Sequence, residues 1–70
     1  MSFSEPENKL QKYMDAKGYS IAELSRLSTI SDKSIRKMLN RERTARRTKV
    51  KIAVFFQVEA LKIFPHDPEL

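Results

Sequence analysis

Two helix-start signals close together, at Ser20 and Ser31, constrain the fold of this 70-residue chain more than any other feature. The first signal is Ser20-Ile-Ala-Glu23, in which the serine can cap a helix. The glutamate three residues later can accept a hydrogen bond from the backbone N–H of that serine. The second begins at Ser31, which has Ile30 just before it and Ile35 five residues beyond Ile30, the spacing of a hydrophobic staple. The segment therefore predicts two short helices, 21–28 and 32–39, joined by a tight connection.

Helical spacing assigns opposite characters to the two faces of these helices. The residues predicted to face inward are Ile21, Leu24 and Leu27 in the first helix, and Ile35, Met38 and Leu39 in the second. Lys33 and Lys37 fall about 160° and 200° from Ile35, so they point away from the core. Helices of this length do not persist alone in water, but packed together they form a helix-turn-helix. Its basic second helix would fit the major groove of DNA, which is about 12 Å wide.

The rest of the chain also predicts helices, because glycine occurs once and the prolines lie near the ends. The first helix is predicted to begin at Ser4, with Glu7 as capping-box partner, and to end at Gly18. A fourth helix, Thr48 to about Gln57, is apolar on more than one side, which is consistent either with a subunit interface or with burial nearly all round. The prediction is an all-α domain over residues 1–65 with a flexible tail at 66–70.

The excess positive charge is concentrated in one segment. Residues 36–51 hold eight basic side chains against Glu42, for a charge of +7, whereas residues 1–35 are neutral and residues 52–70 carry −2. A local field of this strength attracts polyanions. A solvated surface with no partner is the alternative, although such surfaces usually mix both signs.

Several classes of protein are disfavoured by the composition. The chain has no cysteine, its N-terminus does not resemble a signal peptide, and the longest apolar run, Ile52–Phe56, is far below the roughly 18 residues that span a membrane. The single histidine, His66, has no catalytic or metal-binding partners in the pattern. The sequence predicts a cytoplasmic, non-enzymatic protein with no cofactor, no metal, no membrane association and no small-molecule ligand.

Residues 10–64 resemble the Cro/CI-type, XRE-like helix-turn-helix regulators of the lambdoid phage repressor kind. The residues that carry this resemblance are Gly18, Ala22-Glu23-Leu24, Ser34-Ile35, Asn40, Ile52-Ala53 and Phe56-Gln57-Val58. The resemblance implies a compact bundle of five helices, the lambda-repressor-like DNA-binding domain. It further implies that Ser31, Asp32, Lys33 and Lys37 occupy base-reading positions and that Asn40, Arg43 and Arg47 lie near phosphates. A two-fold dimer is implied through the segment that contains Val58, Ala60, Leu61, Ile63 and Phe64.

The chain departs from the family pattern at three positions. Thr29 replaces the common glycine of the turn, and because a β-branched residue resists positive φ, a differently shaped turn is expected. Ser25 replaces an alanine and is still small enough for close helix crossing. Ile21 replaces a polar side chain that contacts phosphate, although its backbone N–H remains available for that contact.

The chemistry of DNA binding leaves several roles open. Lys33 and Lys37 suit guanine O6 and N7, but lysines in these positions can also contact phosphate alone. Asp32 can accept a hydrogen bond from cytosine N4, or it can stabilise the helix alone, because a negative charge in the first turn interacts favourably with the helix dipole. Arg36 lies on the flank of the helix and favours backbone contact, and the loop after the helix adds further phosphate donors at Arg41, Arg43, Arg46 and Arg47.

The function predicted from the sequence is sequence-specific binding of double-stranded DNA by a transcriptional regulator, most simply a phage or prophage repressor. It would read a palindromic operator as a homodimer, at least on DNA, with helix 32–39 in the major groove. The alternative is a protein-binding helix-turn-helix module, an antirepressor or corepressor that acts through its apolar C-terminal helices. Single-stranded binding is disfavoured, because most aromatic residues fall on predicted core positions.

Overall fold

The computed structural model describes residues 6–68 and residue 70, and over these residues the chain is all-helical. The five helices are α1 (Leu10–Lys17), α2 (Ile21–Ser28), α3 (Asp32–Leu39), α4 (Arg46–Phe56) and α5 (Ala60–Ile63). They pack around one apolar core to which every helix contributes. The predicted fold class, a compact all-α bundle of five helices that contains a helix-turn-helix, is confirmed.

The helix-turn-helix pair, α2 and α3, begins where the two serines predict. The Ser20 hydroxyl oxygen accepts from the N–H of Glu23 at 3.2 Å, and the Ser31 hydroxyl oxygen accepts from the N–H of Ser34 at 3.2 Å. Each bond satisfies a backbone donor that the first turn of a helix leaves without a partner. The predicted bounds, 21–28 and 32–39, are those of the structure.

The turn between α2 and α3 corrects the expectation about Thr29. This residue takes the left-handed conformation, with φ 62° and ψ 16°, despite its branched side chain. Such a conformation costs a non-glycine residue about 1–2 kcal/mol, and the surrounding hydrogen bonds offset part of it. Ser25 donates to the carbonyl of Ile30 at 2.7 Å, and Ser28 accepts from the N–H of Ile30 at 3.3 Å. The turn therefore keeps the shape that a glycine would allow.

The start of α1 differs from the prediction. Ser4 lies outside the described residues. Residues 6–9 are not helical, and the helix begins at Leu10. Asn8 organises this start: its carbonyl oxygen Oδ1 accepts from the N–H of Leu10 at 3.1 Å, and its amide Nδ2 donates to the carbonyl of Met38 at 2.8 Å. The start of α1 is thus joined to the end of α3. Gly18 ends α1 at φ 71°, as predicted.

Leu27 was predicted to face inward, and this is wrong. Its side chain is 48% exposed, whereas the next residue, Ser28, is buried beside Leu24. On the helix, Ser28 lies about 40° from Leu24 and Leu27 about 60° from it on the other side, and the buried face of α2 is the side that contains Ser28. The serine is accommodated because its hydroxyl donates to the carbonyl of Leu24 at 2.6 Å.

Lys49 is buried in the core, although the sequence places it in the basic segment 36–51. Its side chain is 2% exposed, and its ammonium forms an ion pair with Asp67, whose side chain is 7% exposed. The ammonium also lies 5.8 Å from the centroid of the Phe64 ring. Asp67 and Leu70 belong to the segment predicted to be a flexible tail. In the structure, Asp67 contacts Lys49, and Leu70 packs against the core.

Candidate nucleic-acid interface

The outer face of α3 is the centre of the candidate interface. Ile35 and Met38 are buried and fix the inner face of this helix, whereas Lys33 is exposed and Lys37 is half-buried. Lys33 therefore lies at the surface as predicted, whereas only part of the Lys37 side chain does. The arrangement holds a short rigid helix with its cationic side outward.

The first turn of α3 holds the two other residues predicted to read bases. Ser31 is exposed, but its hydroxyl is engaged in the cap, where it also donates to the hydroxyl of Ser34 at 3.0 Å. Asp32 lies 3.8 Å from Arg36, one turn along the same exposed face. An exposed pair of this kind contributes little to stability. Asp32 can therefore exchange Arg36 for another donor, and both of its predicted roles remain compatible with its position.

The loop that follows α3 is folded back onto the end of that helix. The N–H of Glu42 donates to the carbonyl of Lys37 at 2.8 Å, and the hydroxyl of Thr44 donates to the carbonyl of Glu42 at 3.2 Å. Arg41 takes a left-handed conformation at φ 59°. The fold thus places the loop next to the outer face of α3. The exposed phosphate-binding candidates there are Asn40, Arg41 and Arg43.

The start of α4 offers a further site for an anion. Arg46 and Arg47 form its first turn, and both are exposed. The residue before them, Ala45, has no side chain able to cap the helix. A helix N-terminus carries partial positive charge and backbone donors that suit phosphate. The first turn of α2, at Ile21, differs from it, because Ser20 already caps that helix by accepting from the N–H of Glu23, and the Ile21 side chain is half-buried.

Of the residues predicted for a dimer interface, some are buried in the core and others are at least partly exposed. Ile63 and Phe64 are buried within the single chain, where they belong to the core and present almost no surface. Val58 and Ala60 are half-buried, and Leu61 is 47% exposed. The sequence did not name Val54 for this role, although it is 68% exposed. Its i, i+4 spacing to Val50, which is also exposed, is the signal that indicates an apolar stripe outside the core.

Two other classes of site are not formed within the part of the chain that the structure describes. No group of three or more histidine, cysteine, aspartate or glutamate side chains comes together there in a way that could hold a metal ion. None of the helices in that part is long and apolar enough to cross a membrane.

The fold and the basic face together define a helix-turn-helix DNA-binding domain. The family model for the Cro/C1-type helix-turn-helix DNA-binding domain matches residues 9–60. The match covers most of the 70 residues, and the chain belongs to this family. It is accordingly a DNA-binding transcription regulator. Searches of curated proteins and of solved structures found no match.

Proposed function

We propose that this protein is a repressor of the phage or prophage type, acting in the cytoplasm, which inserts α3 into the major groove of a palindromic operator. The observation that carries the proposal is the two-sided character of α3. Ile35 and Met38 anchor one side in the core, and Lys33 and Lys37 present amines on the other. A helix held in this way fits the groove without first having to fold.

In this proposal the reading residues divide by chemistry. Lys33 and Lys37 donate to guanine O6 or N7, and Asp32 accepts from cytosine N4 once Arg36 has moved to a phosphate. The resemblance implies that Ser31 reads a base as well, but its hydroxyl is engaged in the cap, so we assign it to the DNA backbone instead. Base contacts of this kind select the sequence, whereas the contacts to phosphate supply most of the affinity.

The phosphate contacts predict a measurable salt dependence. If each subunit neutralises about four to six phosphates, log affinity falls with log salt with a slope of about −4 to −5 per subunit, because each contact releases counterions. The Arg43→Ala/Arg47→Ala variant should reduce this slope by about 2 and weaken binding to all sequences alike. Fluorescence anisotropy of a labelled duplex over a range of salt concentrations measures both effects.

The matched control carries the same loss of charge elsewhere on the domain. Lys12 and Lys62 lie on α1 and α5 and are exposed, and neither belongs to α3 or to the loop after it. Lys12→Ala/Lys62→Ala should leave the slope nearly unchanged. Equal slopes for both double variants would mean that the net charge alone drives binding, and a slope near zero for the unmodified protein would refute the proposed DNA contacts.

We further propose that the protein binds its operator as a homodimer through the exposed apolar side chains of α4 and α5. Leu61 and Val54 support this, since both are aliphatic, solvent-exposed and near the half-buried Val58 and Ala60 in sequence. Two-fold symmetry would place the two reading helices about 34 Å apart, one turn of DNA. Selecting bound duplexes from a random pool tests the proposal, because a dimer of this kind enriches palindromes.

The proposed dimer interface can be tested by comparing the same substitution at two exposed leucines. Leu61→Glu should weaken self-association at least about thirtyfold, the effect of losing an interface residue worth about 2 kcal/mol. Leu27→Glu is the control, because Leu27 on α2 has nearly the same exposure, 48% against 47%. Sedimentation equilibrium of both variants measures the change. A larger loss for the Leu27 variant would move the interface to α2, and equal behaviour of both would exclude α5.

A further inference from the structure

A pocket with a volume of about 330 Å³ lies between α1 and α5, built from residues to which the proposed DNA interface assigns no role. The residues that line it are Lys9, Lys12, Tyr13, Ala16 and Lys62. None of these belongs to α3 or to the loop that follows it. Its volume is at the lower end of the range of small-molecule sites, which is about 300–1,000 Å³.

The walls of this pocket are set by the helix period and by one hydrogen bond. Its residues at the start of α1 and within it follow the spacing i, i+3, i+4 and i+7, which puts them on one stripe. The N–H of Lys9 donates to the carbonyl of Ile63 at 2.7 Å, and this bond brings Lys62 of α5 beside the stripe. The ring of Tyr13 packs against Phe56, with centroids 5.6 Å apart, so its position is fixed from the core side.

The charged side chains of the described lining are all of one sign. Three lysine side chains line the pocket together with an aromatic ring and a methyl group, and no carboxylate belongs to the described lining. Gln11, not one of these lysines, bonds the neighbouring Asp15. The lining therefore carries positive charge with no acidic side chain in its described part to balance it, and such a site attracts anions.

We propose that this pocket binds a small organic phosphate with a flat aromatic body, that is, a mononucleotide. The phosphate lies among the ammonium groups of Lys9, Lys12 and Lys62, and the base lies against Tyr13 and Ala16. The sequence predicted no small-molecule ligand, and this proposal departs from that prediction. The grouping depends on the contact between α1 and α5, which the sequence does not display.

Binding is tested by following the backbone amide signals of the labelled protein during titration with adenosine monophosphate, with inorganic phosphate and with adenosine. We expect the amides of residues 9–16 and 62 to shift and to saturate with the nucleotide at millimolar concentration. Inorganic phosphate and adenosine should each bind more weakly, since each offers half of the contacts. Equal affinity for inorganic phosphate and the nucleotide, or no saturable shift with the nucleotide, would overturn the proposal.

Variants of Ala16 and of the lysines make the test specific to the pocket. Ala16 is exposed on a helix, so Ala16→Glu should fold normally while it places a carboxylate among the lysines and abolishes binding. Ala16→Gln, of the same size, should weaken binding less. Lys12→Gln/Lys62→Gln should weaken it about tenfold, since an exposed ion pair contributes up to about fivefold. Lys51→Gln, on exposed α4 surface, should change nothing, and an equal loss there would overturn the site.

Discussion

Replacing Asp67 with asparagine is expected to lower the free energy of unfolding by about 3 to 5 kcal/mol. The change removes the carboxylate that faces the buried ammonium of Lys49, at a site where the two side chains are 2% and 7% exposed. A charge in such a place has little water to compensate it, so the loss is much larger than for an ion pair at the surface. Since a chain of this length is stable by roughly 4 to 10 kcal/mol, the variant would lose a large part of its stability. Urea denaturation followed by circular dichroism measures it.

A double replacement separates the ion pair from simple packing. Lys49→Met/Asp67→Leu removes both charges and keeps apolar volume, and buried pairs replaced in this way are often neutral or stabilising. We expect the double variant to recover most of the stability that Asp67→Asn loses, and Glu7→Gln, at an exposed acidic position outside the helices, to have almost no effect. A loss below about 1 kcal/mol for Asp67→Asn would show that the pair is solvated like a surface pair.

The helix-turn-helix was predictable because its signals are local. The caps at Ser20 and Ser31 act within three residues, and the glycine that ends α1 acts through its own φ angle. The outward position of Lys33 likewise follows from the helix period once Ile35 is known to be buried. These features depend on neighbours along the chain, which the sequence displays directly.

The features that the sequence missed depend on partners far along the chain. Asn8 bonds the carbonyl of Met38, 30 residues away, and this contact decides where α1 begins. Lys49 pairs with Asp67, 18 residues away, so nothing in its own basic segment marks it as buried. One signal was present: Lys49 lies three, four and seven residues before the buried Ile52, Ala53 and Phe56, the spacing of a single helix face.

The candidate interface was predictable in position but not in the roles of its side chains. The period places Lys33, Asp32 and Arg36 on or beside one exposed face, and the structure adds the pairing of Asp32 with Arg36. In the proposed complex with DNA, which side chain reaches a base would depend on how deeply α3 enters the groove. That depth is set by phosphate contacts from separate parts of the chain, which the spacing within α3 does not encode.

Replacing both Lys33 and Lys37 with alanine is expected to remove most of the preference for the operator over unrelated DNA. Each lysine that bonds a guanine contributes about 1–3 kcal/mol of discrimination, so the preference should fall by at least about 2 kcal/mol, roughly thirtyfold. Lys33 is exposed and Lys37 half-buried, and alanine is a good helix former, so the fold should be retained. Competition binding with the selected operator and a scrambled duplex measures the preference.

The same measurement separates the three roles that these lysines could have. If both read bases, affinity for the operator falls much further than affinity for the scrambled duplex. If both contact phosphate alone, the two affinities fall together and the salt slope drops by about 2. Lys12→Ala/Lys62→Ala is again the matched control, and it should leave both affinities nearly unchanged. If the domain is a protein-binding module instead, the double change at α3 should leave the binding of its protein partner intact, whereas Leu61→Glu should abolish that binding. This result would show that the proposed reading of the major groove by α3 is wrong.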